Sequence, residues 1–348
     1  RPGPGSRPVT GLVTGRALLP ALAVLCAVLF AASVLTGPAD AGARASLVAL
    51  FRGDGGPLTL VMREIRLPRA VLGVLAGASL GLAGAAIQGF LRNPLAEPGL
   101  IGVSASAGLG AVLAIQTGIA ATGALALPLS GFAGALVAVA LILGLSARSG
   151  DALDAGRGGG FGLILAGIAV SAFAGALTSL VLNLSPNPFA ASEIVFWMMG
   201  SLADRSWIEV WTALPVMAVG WVLLARTARD LDALTLGEEA AASLGVNLPR
   251  LRLLTVLGIA AAVGATTAVA GAIGFVGLVV PHLLRGAVGG VPSRLLPASA
   301  LGGAALVLAA DIAVRLILPE RDLKLGVMMA LVGTPVFLHL IHRIRHGA

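Results

Sequence analysis

Chemistry on a nucleoside triphosphate needs a glycine-rich turn ending in Gly-Lys-Ser/Thr, because the lysine must reach the terminal phosphates. The only lysine of this chain, Lys324, stands in Asp322-Leu323-Lys324-Leu325, so the chain carries no such loop and any ATP must be used by a partner. Metal chemistry finds no better support. His282 stands alone, while His339, His342 and His346 recur at helical spacing near the C-terminus, where they read as an interfacial anchor rather than a ligand set. Cys26 is the single cysteine and sits in an apolar run, which excludes an intrachain disulfide. Two other groups stand out. Asp311 and Arg315 are four apart and so face the same way, in a stretch apolar enough to make ionisable residues costly. Glu97 ends the turn Asn93-Pro94-Leu95-Ala96-Glu97, where it can favour the positive end of a helix opened by Pro98.

The elements that must hold these residues follow from composition. The chain is 57% hydrophobic and 11% charged, against about 25% charged residues in soluble domains. Ten apolar runs approach the roughly 20 residues needed to cross a bilayer: 16–37, 68–91, 99–118, 122–147, 161–184, 207–227, 252–272, 276–290, 294–318 and 324–343. The expected fold is all-α, a polytopic membrane bundle in one domain over 16–343, with tails at 1–15 and 344–348. The small-residue motif Ala39-Asp40-Ala41 resembles a signal cleavage site. The apolar stretch before it, Ala17 to Thr36, exceeds the roughly 7–15 residues of a signal core, so the first run is read as a true span.

Ten spans put both termini on one side. With the termini in the cytoplasm, 14 of the 23 basic residues lie inside, in the direction of the positive-inside bias. The expected location is the plasma (inner) membrane, with both termini cytoplasmic. The exceptions concentrate in Arg63/Arg66/Arg69 and Arg315/Arg321/Lys324, and for Arg66 and Arg69 the residues alone read as interfacial anchors to lipid phosphates. The basic residues are spread between apolar runs, which excludes a nucleic-acid footprint.

Small residues recur every fourth position in Gly73/Gly77/Gly81, Gly102/Ser106/Gly110, Gly167/Ser171/Gly175/Ser179 and Gly258/Ala262/Thr266/Ala270. Such stripes serve either close helix packing or a substrate path. In the polar segment 230–249, Thr235-Leu236-Gly237-Glu238 matches a capping box and Gly245 a stop, predicting a helix of about nine residues, too short to span. Leu236, Ala240 and Leu244 share one face of it, leaving Glu238, Glu239 and Ser243 on others. It is either an ordinary connection or a docking element.

Taken together, Arg66-Leu67-Pro68-Arg69, Gly84-Ala85-Ala86-Ile87-Gln88-Gly89, Asn93-Pro94-Leu95-Ala96-Glu97-Pro98-Gly99-Leu100-Ile101-Gly102, Leu236-Gly237-Glu238-Glu239-Ala240, Ala270-Gly271-Ala272-Ile273-Gly274-Phe275 and Gly333-Thr334-Pro335 resemble the FecCD-type permeases. These are the membrane subunits of importers for ferric siderophores, haem and cobalamin. The resemblance covers about 60–340, with Ala272 where the family often has proline. It implies a permease rather than an enzyme, pairing with a second copy or sister chain, two ATPase subunits that hold ATP and Mg, and a solute-binding protein. Arg66, Arg69 and Arg315 would then meet acidic residues of the binding protein. Thr235, Leu236, Gly237, Glu238, Glu239, Ala240, Leu244 and Gly245 would form the ATPase coupling segment. Asn93, Pro94, Leu95 and Glu97 would lie near the inner gate, and Ser171, Gly175, Gly274 and Phe275 along the path. The alternative from another class, an ion-coupled secondary transporter, would place carboxylates at mid-membrane. Of these the sequence offers only Asp311, beside Arg315.

Overall fold

In lipid, backbone N–H and C=O groups must be satisfied within the chain, which for apolar runs means helix. The computed structural model describes residues 11–37, 42–53, 55–148, 160–317 and 323–345, and among these there is no strand. Arg1, Arg7, Ala39–Ala41, Arg157, Arg321 and His346 lie outside them. The helices are α1 (Gly11–Leu35), α2 (Ala43–Phe51), α3 (Pro57–Leu60), α4 (Leu67–Phe90), α5 (Val103–Gln116), α6 (Ala126–Arg148), α7 (Phe161–Asn183), α8 (Pro188–Met198), α9 (Trp207–Arg226), α10 (Ala228–Leu234), α11 (Glu238–Ser243), α12 (Leu248–Ala270), α13 (Val276–Arg285), α14 (Pro292–Ile317) and α15 (Leu325–Arg345). A π-helical turn, Val61–Arg66, joins α3 to α4.

Each of the ten apolar runs overlaps one α-helix, and the run 99–118 opens on a 3-10 turn, Pro98–Ile101, before α5. Among the described residues seven helices are long and apolar enough to cross a membrane, and Val103–Gln116, Val276–Arg285 and Leu325–Leu338 are shorter. Seven of the ten expected spans thus correspond to helices of spanning length, and the other three runs fall on helices too short by themselves to cross. Helix α8 lies outside the expected runs.

Helices α4 and α12 are mostly buried and form the centre, while α1, α6, α7 and α9 turn large apolar side chains outward. Lipid offers no hydrophobic drive between helices, so association depends on close packing of small residues. Helix α4 shows this best. A Cβ on Gly77 would meet Gly303, one on Gly81 the carbonyl of Ser299, and one on Gly84 the backbone of Gly277. Gly110 and Gly134 close α5 onto α6 through Ser130 and Ser106, and Gly258 packs against α9. The other stripes are thus mostly packing. The α7 stripe is the exception: Gly167 packs against Leu100, but Gly175 and Ser179 are exposed.

Candidate functional site

At about 1.5 Å per residue, the 14 residues of α5 cover roughly 21 Å and the 10 of α13 roughly 15 Å, short of the roughly 30 Å hydrocarbon layer. The chain is therefore broken inside the bundle before both helices. Irregular backbone at that depth persists only where protein buries it or where it lines a cavity. Paired interruptions of this kind mark binding sites in transporters.

The two breaks meet. Glu97 Oε1 accepts a hydrogen bond of 2.9 Å from the Phe275 N–H, joining residues 178 apart in sequence. Glu97 was expected to cap the helix that follows it. Its side chain makes no cap bond to that helix, and the carboxylate instead serves the N-terminus of α13. Phe275 holds φ 66°, a left-handed conformation that a bulky residue adopts only when its surroundings impose it. Its ring fits against Gly333, where a side chain would collide with it. Gly271, with φ 72°, brings its Cα against the carbonyl of Trp197, and Ser201 N–H donates to the Ala270 carbonyl at 2.8 Å. A cavity of about 140 Å³ opens at the junction, lined by Leu80, Glu97, Pro98, Ser104, Val263 and the 272–274 backbone.

Of the expected path residues, Gly274 lines this cavity, and Phe275 is bonded to Glu97, which lines it too. Ser171 lies beside Gly102 at the start of α5, whereas Gly175 faces outward from α7. In the 93–97 turn, expected near the inner gate, Asn93 Oδ1 accepts from Leu95 N–H at 2.9 Å, which makes the turn tight, with Pro94 inside it. Sequence reasoning quoted Gln88 within a motif but assigned it no role. Gln88 is fully buried, and its amide nitrogen lies 3.3 Å from the Ala96 carbonyl, 3.3 Å from that of Gly277 and 3.2 Å from that of Leu278. Its oxygen accepts from Arg285 at 2.8 Å.

The capping box at Thr235 does not form. Thr235 Oγ1 donates to the Asp232 carbonyl at 2.6 Å, ending α10, and Gly237 at φ 106° turns the chain before α11 begins at Glu238. The new helix has six residues, not about nine. Gly245 acts as the expected stop, with φ 89°. Leu236 and Leu244 are both about two-thirds exposed, while Ala240 is partly covered and Glu239 exposed. Two links tie this segment to the bundle. Asp232 Oδ1 accepts from Ser293 N–H at 2.8 Å, and Arg92 lies 3.6 Å from Glu238.

The three arginines expected to face a partner are turned inward. Arg69 grips Asp311 with two nitrogens, the shorter contact being 2.7 Å, and Arg315 meets the other oxygen at 2.8 Å. Arg315 also donates to the carbonyls of Ser33 and Thr36, and Arg66, itself buried, to that of Leu35. The cause is the C-terminus of α1, whose last carbonyls have no helical partner and attract cations. Arg63 does the same for α2 through Leu50. In the loop before α9, burial pulls the pKa of Arg205 down against the opposing charges of Glu209 and Asp204. The capping box that does form is next to it, Ser206 with Glu209. Among the described residues no group of three His, Cys, Asp or Glu side chains is placed to hold a metal ion.

Comparison with known proteins bears on this arrangement. Residues 25–343 match the FecCD transport family. The uncharacterized ABC transporter permease protein YvrB of Bacillus subtilis is 36% identical over 331 residues, covering 91% of this chain and 92% of its own length. The Fe(3+) dicitrate transport system permease protein FecD of Escherichia coli is 38% identical, covering 82% and 86%. The cobalamin import system permease protein BtuC of Halobacterium salinarum is 39% identical, covering 81% and 73%. A solved inward-facing metal-chelate type ABC transporter superposes with a TM-score of 0.82 at 30% identity, covering 94% of this chain and 99% of that one.

Proposed function

The chain belongs to the FecCD transport family, and from that premise we propose that it is the membrane-spanning permease subunit of an ATP-driven importer for metal chelates. Iron–siderophore is the finer reading of the cargo. The observation that carries the proposal is the pair of interrupted helices joined by Glu97 and Phe275 over a cavity, in a chain with no phosphate-binding loop. A site of this kind lets a solute pass without doing chemistry on it. The energy must then come from partners: two ATPase subunits holding ATP and Mg, and a second permease, identical or a sister chain.

In this reading the single permease domain spans 16–343 in the plasma (inner) membrane, with both termini cytoplasmic. Residues 235–245 seat the ATPase, which is supported by the exposure of Leu236 and Leu244 on an otherwise polar segment. A solute-binding protein delivers the chelate at the opposite end. There Arg66, Arg69 and Arg315 act indirectly, by fixing the helix ends on which that protein would sit. Secondary transport is disfavoured because Asp311, its expected mid-membrane carboxylate, is neutralised by two arginines.

The test is purification alone and with the candidate ATPase. The isolated chain in nanodiscs should neither bind nor hydrolyse ATP, and the ATPase should be retained on it. Hydrolysis by the isolated chain above contaminant level would overturn the proposal.

A further inference from the structure

We infer that Gln88 is a positioning residue that makes the 92–97 turn and the first turn of α13 move as one block. This rests on the ATP-driven reading above and goes beyond it, because it names what must move together when the ATPase acts. The geometry supplies two pins. Glu97 fixes the end of the turn to the Phe275 N–H at 2.9 Å. Gln88, at the buried end of α4, reaches the Ala96 carbonyl of the turn and the Gly277 and Leu278 carbonyls of α13 with one amide group. Arg285, at the far end of α13, holds the Gln88 oxygen, which fixes the flip of the amide and aims its nitrogen at the three carbonyls.

Backbone contact reinforces the pins. Gly84 lies against Gly277, so the backbones of α4 and α13 meet directly at that point. The block meets the coupling segment through Arg92 and Glu238, 3.6 Å apart and both partly exposed. A pair of this kind is weak enough to yield without unfolding anything. A displacement of α11 would therefore reach the cavity as a shift of Glu97, Phe275 and Gly274 together, not as separate rearrangements of two loops.

Spatial adjacency alone does not establish coupling, so the test must read motion. The permease would be assembled with its ATPase partner in nanodiscs, on a Cys26→Ala background, and spin-labelled at Asn93 and Leu283, both exposed. A reference pair joins Asn93 to Leu165 on α7. Distances are measured nucleotide-free and with ATP–vanadate. The expected result is a reference pair that shifts and an Asn93–Leu283 pair that keeps one narrow distance. Gln88→Met, of similar volume but with no amide, should lose that narrow distance once nucleotide is added. Arg285→Lys, which leaves the three carbonyl contacts in place, serves if the first variant does not assemble, and should show a smaller loss. An Asn93–Leu283 distance that shifts in the wild type, or that stays narrow in Gln88→Met, overturns the block. If no pair responds to nucleotide, the ATP-driven reading falls and the block falls with it.

Discussion

The two ends of α4 are built on opposite principles. At its start, Arg66 and Arg69 are committed to the α1 carbonyls and to Asp311, within a buried cluster that also consumes Arg315. At its end, Gln88 makes a dense set of buried contacts, but the chain then leaves through Arg92, whose partner Glu238 is about one third exposed. The first end fastens three helices to one another. The second fastens a small block internally and leaves it loosely attached to an exposed segment bearing Leu236 and Leu244. A transporter needs both, a frame that does not give and a part that does. The distribution of buried charge and exposed apolar surface says which is which.

The comparison breaks most readily at the frame. Asp311→Ala leaves Arg69 and Arg315 facing each other in a buried site, and removing one partner of a buried pair costs about 3–5 kcal/mol. Thermal unfolding in detergent should show this as the largest loss in the molecule, and a stability within error of wild type would deny the frame its role. Gly81→Leu comes next, because its side chain would meet the Ser299 backbone, which cannot yield as a side-chain tip can. We expect a loss of about 1–3 kcal/mol, with cross-linking between α4 and α14 reduced. Glu97→Ala removes the acceptor of a part-buried N–H at the moving end and should cost about 1–3 kcal/mol. Amide exchange should rise at 271–278 and not at the α1 terminus. Leu244→Asp lies on the exposed segment and should change stability by less than about 0.5 kcal/mol. Pull-down of the ATPase should nevertheless be lost, since a charge would enter an apolar contact.

What was legible in the sequence follows the range over which each interaction acts. Apolar runs are local, so the helices lie where hydropathy places them. The short lengths of α5 and α13 become meaningful only once Glu97 and Phe275 meet across 178 positions. Ser/Thr-x-x-Glu occurs at Thr235–Glu238 and at Ser206–Glu209, and the second forms the box. The first contains Gly237, whose left-handed backbone interrupts the helix the box would open. Counting charges across the membrane found that Arg66, Arg69 and Arg315 violate the positive-inside bias, but a count carries no direction. Their targets are carbonyls at the end of α1 and a carboxylate 242 residues from Arg69, which no local pattern announces. Gln88 escaped notice for the same reason, since its partners are all backbone or distant.

The central claim is that this chain passes a metal chelate only when an ATPase drives it. The direct measurement is uptake of radiolabelled ferric chelate and cobalamin into proteoliposomes holding the permease and its ATPase, with ATP inside the vesicles and binding protein outside. The account predicts uptake of at least one chelate that stops when ATP is withheld or when Leu244→Asp replaces the wild type. Uptake driven by a proton or sodium gradient without ATP would contradict it.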